Sequence, residues 1–304
     1  MKKILVPVDF STESTLATRF AIELAEKNDA HITLLNSVHF DYYTDYQFTS
    51  FASAKTLMQD VRDAMVDKMK QFVSKFNTQV NIDTKIEEMY LVTAVKEMTK
   101  NDEYDLVVVG TKGCSGLEEV LIGSNTEKIV RHAACPVISV PDKVSTAEIK
   151  KILVPLDIRE IKRSFLQEVA KLQKNFGAKL EFLWVKTPHN IENEEMVSTE
   201  LTKHIQAHGI TDFEFAIVNN VFPSDGILYR ADEIGAGMIA MPTHARRGIA
   251  HWLSGSLTED TVNHINVPVW SFRMDKKEKS ISLDSVKNAH GKPEYKKIEV
   301  LTHN

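Results

Sequence analysis

Cysteine is scarce in this sequence, since the 304 residues include two, Cys114 and Cys135. Neither lies in a CxxC pattern or at a spacing typical of metal ligands, so neither a disulfide framework nor a metal site is indicated. The run Met1–Val6 has the composition of a signal-peptide start, but Pro7 and Asp9 interrupt it too early for a secretory signal. No stretch approaches the roughly 20 apolar residues that span a bilayer. We therefore expect no membrane association and a reducing, cytoplasmic compartment.

An excess of positive charge is also missing, because 37 Lys and Arg residues face 42 Asp and Glu residues, for a formal net charge of -5. Proteins that bind nucleic acid gain much of their affinity when basic side chains release counterions, so this balance argues against a nucleic-acid partner. The hydrophobic fraction of 43% and the charged fraction of 26% are those of an ordinary globular protein. The length is sufficient for two domains, each with its own core.

Several signatures of nucleotide-dependent and hydrolytic enzymes are absent. The sequence contains no GxxxxGK[ST] phosphate loop, no GxGxxG fingerprint and no SGGxxS or HIGH motif. A GxSxG nucleophile elbow and an HExxH zinc motif are missing as well. Phosphoryl transfer needs carboxylates that hold a metal, and near the glycine loop described below the sequence offers Glu118 and Glu119 alone. We therefore expect at most slow catalysis.

The strongest pattern in the sequence is an internal repeat. The segment Ile4–Asp9 (ILVPVD) recurs as Ile152–Asp157 (ILVPLD), at an offset of 148 residues. The segment Gly123–Val137 recurs in the same order as Gly255–Val269, at an offset of 132 residues. The second copy is therefore 16 residues shorter in its middle. The two copies span residues 1–143 and 150–273.

Each copy alternates short apolar runs with amphipathic segments, which is typical of strands alternating with helices. Ser11 or Thr12 can cap the first helix, and apolar residues from Met58 to Phe76 keep a helical period after an aromatic loop at Tyr42–Phe48. This alternation predicts an α/β fold with two doubly wound, five-stranded parallel sheets. The predicted strands are Lys3–Val8, Ile32–Val38, Val80–Ile86, Leu106–Val109, Val137–Val140, Lys151–Leu156, Lys179–Val185, Phe213–Val218, Met238–Met241 and Val267–Phe272.

The candidate binding site follows the fourth strand of the first copy. That strand leads into Gly110–Gly113, and Gly123 and Ser124 begin the next predicted helix, where Ser124 and Glu127 form a capping-box pattern. Glycines after a parallel strand let backbone N–H groups approach phosphate oxygens. The N-terminus of a helix adds unpaired N–H donors and a favourable dipole. Because ligands of open α/β sheets lie outside the carboxyl ends of the strands, we predict a phosphate loop formed by Gly110, Gly113, Gly123 and Ser124.

These motifs, ILVPVD at the start, GxxGx9GS after the fourth strand and GSxTEKxxRHAxCPV at the end, resemble those of the universal stress protein family and specifically its ATP-binding branch. The resemblance covers residues 1–141 and 150–273. It implies a Rossmann-like, adenine nucleotide α hydrolase-like fold with strand order 3-2-1-4-5, and ATP, with or without Mg²⁺, as the ligand of the first copy. It also implies that Asp9 lies by the ribose or the adenine and that backbone near Val38 contacts the base.

The second copy departs from this pattern at the loop. Pro242 replaces the first glycine and has no N–H to donate, and Ala245 replaces the second glycine with a methyl-bearing residue. Cations that the first copy lacks follow in the same loop. An anion site of different geometry is therefore an alternative to a solvated loop. Its residues would be Asp157, His244, Arg246, Arg247, Gly255 and Ser256.

Several interpretations stay open on the sequence alone. Gly110 and Gly113 are also compatible with a simple strand-to-helix turn, and Asp9 with a cap of the following helix. The leading functional hypothesis is an ATP-binding sensor or scaffold of the stress response, with at most slow hydrolysis. A dimerising stress protein that binds partners and no nucleotide is the alternative from a different class. An ATPase or kinase-like enzyme is the third.

Two further expectations concern assembly. The strands Val137–Val140 and Val269–Phe272 are expected to pair as an internal pseudo-dimer, because each would otherwise be an apolar edge with unpaired backbone groups. Whether two chains then associate as a homodimer is left open. Residues 274–304 are lysine-rich with few apolar positions, so they are predicted to be a charged tail that is dispensable for folding.

Overall fold

The computed structural model describes residues 1–38, 51–101, 104–111, 124–141, 144–243, 267–275, 277–284 and 286, and of residues 51–58 the backbone alone. Strands alternate with helices throughout these residues, as the hydrophobic pattern predicts. None of the helices found in this part of the chain has the length and apolar character that a bilayer crossing requires. The predicted aromatic loop Tyr42–Phe48 lies outside the described residues.

The observed elements agree with the predicted strands to within one or two residues at most ends. The first copy contributes β1 (Lys3–Pro7), α1 (Thr12–Asn28), β2 (His31–Ser37), α2 (Phe51–Val73), β3 (Ile82–Glu87), α3 (Leu91–Asn101), β4 (Leu106–Gly110), α4 (Ser124–His132) and β5 (Val137–Val140). The second copy contributes β6 (Lys151–Pro155), α5 (Arg163–Phe176), β7 (Lys179–Lys186), α6 (Glu194–Ala207), β8 (Phe213–Asn219), α7 (Pro223–Glu233), β9 (Met238–Thr243) and β10 (Val269–Arg273).

The described strands form one continuous sheet in the order β3-β2-β1-β4-β5-β10-β9-β6-β7-β8. Each half has the order 3-2-1-4-5 and its strands are parallel, which confirms the predicted fold class. The halves meet where β5 pairs antiparallel with β10, with Ile138 opposite Trp270. This pairing confirms the predicted pseudo-dimer, and it joins the two sheets by satisfying the backbone groups of both edges.

The two halves share a hydrophobic core on one face of the sheet. Phe20 of α1 lies against Phe176 of α5 with ring centroids 6.3 Å apart, and Phe165 of α5 lies 6.1 Å from Trp270 of β10. These residues belong to one buried cluster that contains side chains from both copies. On the opposite face each half has a cluster that is its own, with the β10 residue Val269 touching both. The junction between the copies is therefore part of a core rather than a surface contact.

The helix that leads out of β1 begins as the sequence predicts. Ser11 is the N-cap of α1, and its hydroxyl accepts a hydrogen bond from the backbone N–H of Ser14 at 3.1 Å. The helix ends at Asp29, whose φ of 51° places it in the left-handed conformation that commonly terminates helices. These caps fix where α1 starts, directly beyond the carboxyl end of β1.

The beginning of the predicted tail is folded onto the second half, which corrects the expectation that residues from 274 onward contribute nothing to the core. Met274 is 4% exposed and Leu283 is 2% exposed, both within the shared core. Glu278 accepts a hydrogen bond from the backbone N–H of Ser164 at 3.0 Å and so caps α5. The sequence pattern missed this docking because the buried positions have neither the helical nor the strand period.

Candidate functional site

A cavity of about 390 Å³ lies beyond the carboxyl ends of β1 and β4. The strand order reverses between these two strands, which is the place where open α/β sheets bind ligands. The volume falls within the range of small-molecule sites, about 300–1,000 Å³. Residues from both strands and from three helices line it, among them Asp9, Ser11, Leu91, Gly110, Ser124 and Ile129.

Three helices begin at the border of this cavity. Ser11, Leu91 and Ser124 line it, and they stand at the start of α1, α3 and α4 respectively. The first backbone N–H groups of a helix have no partner within the helix, and the helix dipole adds partial positive charge at that end. The cavity therefore has an environment that favours an anionic group.

Asp9 lies in the wall of the cavity and holds the cap of α1 rather than capping the helix itself. Its Oδ1 accepts hydrogen bonds from the backbone N–H of Ser11 at 3.0 Å and from the Ser11 hydroxyl at 2.5 Å. Partial burial by itself would raise the pKa of Asp9, but these hydrogen bonds outweigh it and lower the pKa below the ordinary 3.8. The carboxylate is therefore ionised at neutral pH. An ionised carboxylate offers about four lone-pair sites, so Asp9 keeps acceptor capacity for a hydroxyl donor.

Gly110 ends β4 and lines the cavity. Thr111 donates its N–H to the carbonyl of Val140 in β5 at 3.0 Å, and successive residues of a strand direct their backbone groups to opposite neighbours. Gly110 therefore turns its N–H and C=O toward β1. A Cβ at Gly110 would lie 2.5 Å from the backbone oxygen of Glu13 in α1. The close packing of α1 on β4 thus requires glycine here, whether or not a phosphate approaches.

The start of α4 is tied to the end of β4. The Thr126 hydroxyl donates to the carbonyl of Gly110 at 3.0 Å, and Thr126 is buried. Thr126 is not among the site residues that the sequence predicts, although it recurs as Thr258 in the motif of the second copy, which is a usable signal. The predicted capping box of Ser124 and Glu127 stays a prediction, because the residue before Ser124 lies outside the described residues; Glu127 pairs with Arg131. Ser124 is exposed and faces the cavity.

The other predicted site residues of the first copy are less informative. Val38 follows β2, and its N–H donates to the carbonyl of Glu87 in β3 at 2.9 Å. This N–H is engaged in the sheet. Gly113 and Gly123 lie outside the described residues. The structure thus brings Asp9, Gly110 and Ser124 together from three separate places in the sequence.

Comparison with known proteins agrees with this architecture. A model of the universal stress protein family matches residues 1–141 and again residues 148–273. The chain belongs to the universal stress protein family. A universal stress protein of Methanocaldococcus jannaschii is 29% identical over 140 residues, which cover 46% of this chain and 81% of that protein.

Solved structures match over both halves. A universal stress protein from Archaeoglobus fulgidus aligns with a TM-score of 0.67 at 16% identity, covering 89% of this chain and 98% of that one. A protein of unknown function from Pseudomonas aeruginosa aligns with a TM-score of 0.56 at 18% identity, covering 90% of this chain and 93% of that one. At these identities the likeness shows the fold alone. The aligned region includes both universal stress domains of this chain.

The second universal stress domain resembles the first at the corresponding place, where the strand order reverses between β6 and β9. Asp157 accepts a hydrogen bond at 3.0 Å from the N–H of Arg159, two residues further along the chain. Asp9 accepts the corresponding hydrogen bond from the N–H of Ser11. Pro242 lies in β9 at the position of Gly110. The N–H of Ile239 donates to the carbonyl of Pro268 at 3.1 Å, so odd-numbered residues of β9 face β10 and the nitrogen of Pro242 faces β6.

The proline is therefore tolerated in β9 without loss of a hydrogen bond to β10. It removes the backbone donor that corresponds to the N–H that Gly110 turns toward β1 in the first domain. The remaining residues of the predicted second anion site, His244, Arg246, Arg247, Gly255 and Ser256, lie outside the described residues.

A second cavity of about 230 Å³ lies between the two domains at the amino ends of β4 and β5, away from Asp9. Its lining includes Cys135 and the aromatic side chains of Phe176 and Trp270. Burial raises the pKa of the Cys135 thiol to about 12, and the nearby carboxylates of Asp105 and Glu168 act in the same direction. Cys135 is therefore a protonated, weakly nucleophilic thiol at neutral pH.

Proposed function

We propose that the first universal stress domain binds ATP, with or without Mg²⁺, and that the chain acts as a nucleotide-dependent sensor or scaffold in the stress response. The observation that carries the proposal is that Asp9, Gly110 and Ser124 line one cavity, at the place where the strand order reverses between β1 and β4. Membership in the universal stress protein family supports it, and so does the GxxGx9GS motif of the first copy, which resembles the motif of the ATP-binding branch.

The residues around this cavity fit the chemistry of a nucleotide. The start of α4, with the exposed Ser124 hydroxyl, offers donors to phosphate oxygens. Asp9 is ionised and accepts hydrogen bonds, as ribose hydroxyls require. Leu91 and Ile129 provide an apolar wall. Gly113 and Gly123 would complete the phosphate loop.

The second domain is proposed to leave ATP unbound under the same conditions. Pro242 lacks the donor that Gly110 supplies, and Ala245 carries a methyl group where the backbone of Gly113 would approach the phosphate. Losing one hydrogen bond to a charged phosphate costs on the order of 1.5–3 kcal/mol, about ten- to a hundredfold in affinity. Two such defects place the affinity of the second domain far below that of the first. We propose one ATP per chain.

Isothermal titration of the full chain tests this proposal. The expected stoichiometry is near one, and Gly113→Val should abolish binding while Ala245→Val leaves it unchanged. The repeat supplies two further matched pairs: Ser124→Ala should weaken binding about tenfold or more and Ser256→Ala should not, and Asp9→Asn should weaken it where Asp157→Asn does not. A stoichiometry of two, or binding that survives Gly113→Val but is lost with Arg246→Ala, would contradict the assignment of the site to the first domain.

One observation favours the alternative of a dimerising stress protein that binds no nucleotide. The glycine at position 110 is already required by the backbone of Glu13, so its presence is not by itself a sign of phosphate binding. Mass spectrometry of small molecules released when freshly purified protein is denatured separates the two functions. Retained adenine nucleotide supports the proposal. No retained nucleotide together with no heat of binding on titration supports the alternative.

Turnover is tested separately. If Mg²⁺-dependent hydrolysis well above background accompanied binding, the third hypothesis of an ATPase would replace the sensor or scaffold. We expect bound ATP to be released largely intact on denaturation.

A further inference from the structure

The two outer strands of the sheet differ in how they are protected against pairing. Among the described strands, β3 and β8 lie at the two ends of the sheet. β3 has the sequence IDTKIE, with exposed Asp83 and Lys85, and charges of this kind prevent edge-to-edge association. β8 has the sequence FEFAIVN, with Glu214 as its one charged residue. An edge strand as long and apolar as β8 is expected to be covered by another strand.

Exposed apolar side chains concentrate in the segment of the chain that contains β8. In the described part of the chain, seven large hydrophobic side chains are exposed, and five of them lie between residues 191 and 229. Val221 is 62% exposed and Phe222 is 51% exposed, and both directly follow β8. All five lie in the loops and helices that precede or follow β8 in the chain. These residues are Ile191, Met196, Val221, Phe222 and Tyr229.

The hydrogen bonds of β8 with β7 fix which backbone groups point outward. Asn220 donates its N–H to the carbonyl of Lys186 at 3.1 Å, and the carbonyl of Asp212 accepts from Leu180 at 3.2 Å. Even-numbered residues of the strand therefore face β7, and odd-numbered residues direct their N–H and C=O away from the sheet. The outward set includes Phe215 and Ile217, on either side of Ala216.

We propose that β8 is the interface with a second copy of this chain, which pairs antiparallel with it across a two-fold axis at Ala216. Such an axis places Phe215 opposite Ile217 of the partner subunit, so both outward residues exchange N–H···O bonds and an aromatic residue packs on a β-branched one. A two-fold axis requires a strand that complements itself, and β8 does so, with apolar residues on both sides of Ala216.

The chain already contains a junction of this type. β5 and β10 are corresponding strands of the two domains, and they pair antiparallel to join the halves of the sheet. Pairing at β8 would extend the same ladder from one chain into the next. The inference concerns assembly and does not depend on ATP binding.

The test is sedimentation velocity and light scattering of the full chain between about 1 µM and about 1 mM, the range in which a small interface is expected to associate. The expected result is a monomer that becomes a dimer as concentration rises. Ile217→Pro removes an outward N–H and no bond to β7, so it should weaken dimerisation at least about tenfold. Thr84→Pro is the matched control, because Thr84 is exposed and lies between the charged residues Asp83 and Lys85 of β3, the strand at the other end of the sheet.

A second variant keeps the proposal testable if the proline disturbs folding. Ala216→Lys places two ammonium groups side by side at the two-fold axis, so dimerisation should weaken and should recover in part at about 1 M salt, where the Debye length is about 3 Å. A wild-type chain that stays monomeric over the whole range overturns the proposal. So does a dimer that survives both substitutions in β8, or one that Thr84→Pro dissociates as strongly as Ile217→Pro.

Discussion

The docked segment that follows β10 makes a prediction opposite to the one that composition suggests. Truncation after Arg273 should lower the stability of the chain, because it exposes the part of the core that Met274 and Leu283 cover and leaves the N-terminus of α5 without the Glu278 carboxylate. Lys162, the N-cap residue of α5, makes no side-chain capping bond. The helix therefore depends on a residue more than a hundred positions away for its cap.

The magnitude follows from the burial of two side chains and one cap. Leu283 is 2% exposed, and replacing a buried leucine by alanine costs about 2–5 kcal/mol. Removing the cap with Glu278→Ala costs about 1 kcal/mol. A loss of about 3 kcal/mol lowers the melting temperature of a domain of this size by about 10 °C. We expect a shift of this order for Leu283→Ala and a larger one for truncation after Arg273.

Differential scanning calorimetry of four chains measures these effects: the full chain, Leu283→Ala, truncation after Arg273 and truncation after Val286. Truncation after Val286 is the control, because it keeps every docked residue named above. It should have the same melting temperature as the full chain. Equal melting temperatures for the full chain and the chain ending at Arg273 would refute the reasoning. A fall of the control as large as that of the shorter truncation would assign the stabilisation to residues 287–304 instead.

Two other features give measurable expectations. The Arg230 guanidinium donates a hydrogen bond of 2.6 Å to Glu181, whose side chain is 1% exposed. Arg230→Ala should therefore lower the free energy of unfolding, measured by urea denaturation, by about 3–5 kcal/mol, because it leaves a buried carboxylate unpaired. Glu181→Gln should cost less, and equal losses would contradict this. In a Cys114→Ser background, Cys135 should resist iodoacetamide at pH 8 until the chain unfolds. Because its pKa is raised from 9.0 to about 12, the unfolded chain loses the thiol proton first, and the stability difference from Cys135→Ala should fall between pH 9 and pH 12.

The candidate site was partly visible in the sequence. The run after β4 and the Gly123-Ser124 pair marked a helix start beside a strand end, and the structure brings Gly110 and Ser124 to one cavity with Asp9. What the sequence did not contain was the reason for Gly110, which is the carbonyl of Glu13 at 2.5 Å from any added Cβ. That reason arises from how α1 crosses β4, and no local pattern encodes it.

The caps show the same division. Ser11 caps α1 from within its own turn, so local sequence was sufficient to predict it. At the predicted capping box of Ser124 and Glu127 the structure adds a partner that the motif does not contain, because Arg131, one turn further along α4, pairs with the Glu127 carboxylate. Competition between two partners for one side chain is decided by geometry, and a motif lists one partner only.

The sequence by itself determined the tandem repeat, the parallel strands of each half and the pairing of β5 with β10. These follow from hydrophobic periodicity, from the need of parallel strands for helical crossovers and from the cost of unpaired edges. The strand order of each half was implied by the resemblance to the universal stress protein family and not by these patterns. The tertiary structure alone decided that Glu278 caps α5, that Pro242 turns its nitrogen away from β10 and that, among the described strands, β8 is an apolar edge. Each of these depends on which residues meet across the fold, and that information lies in packing rather than in any single segment.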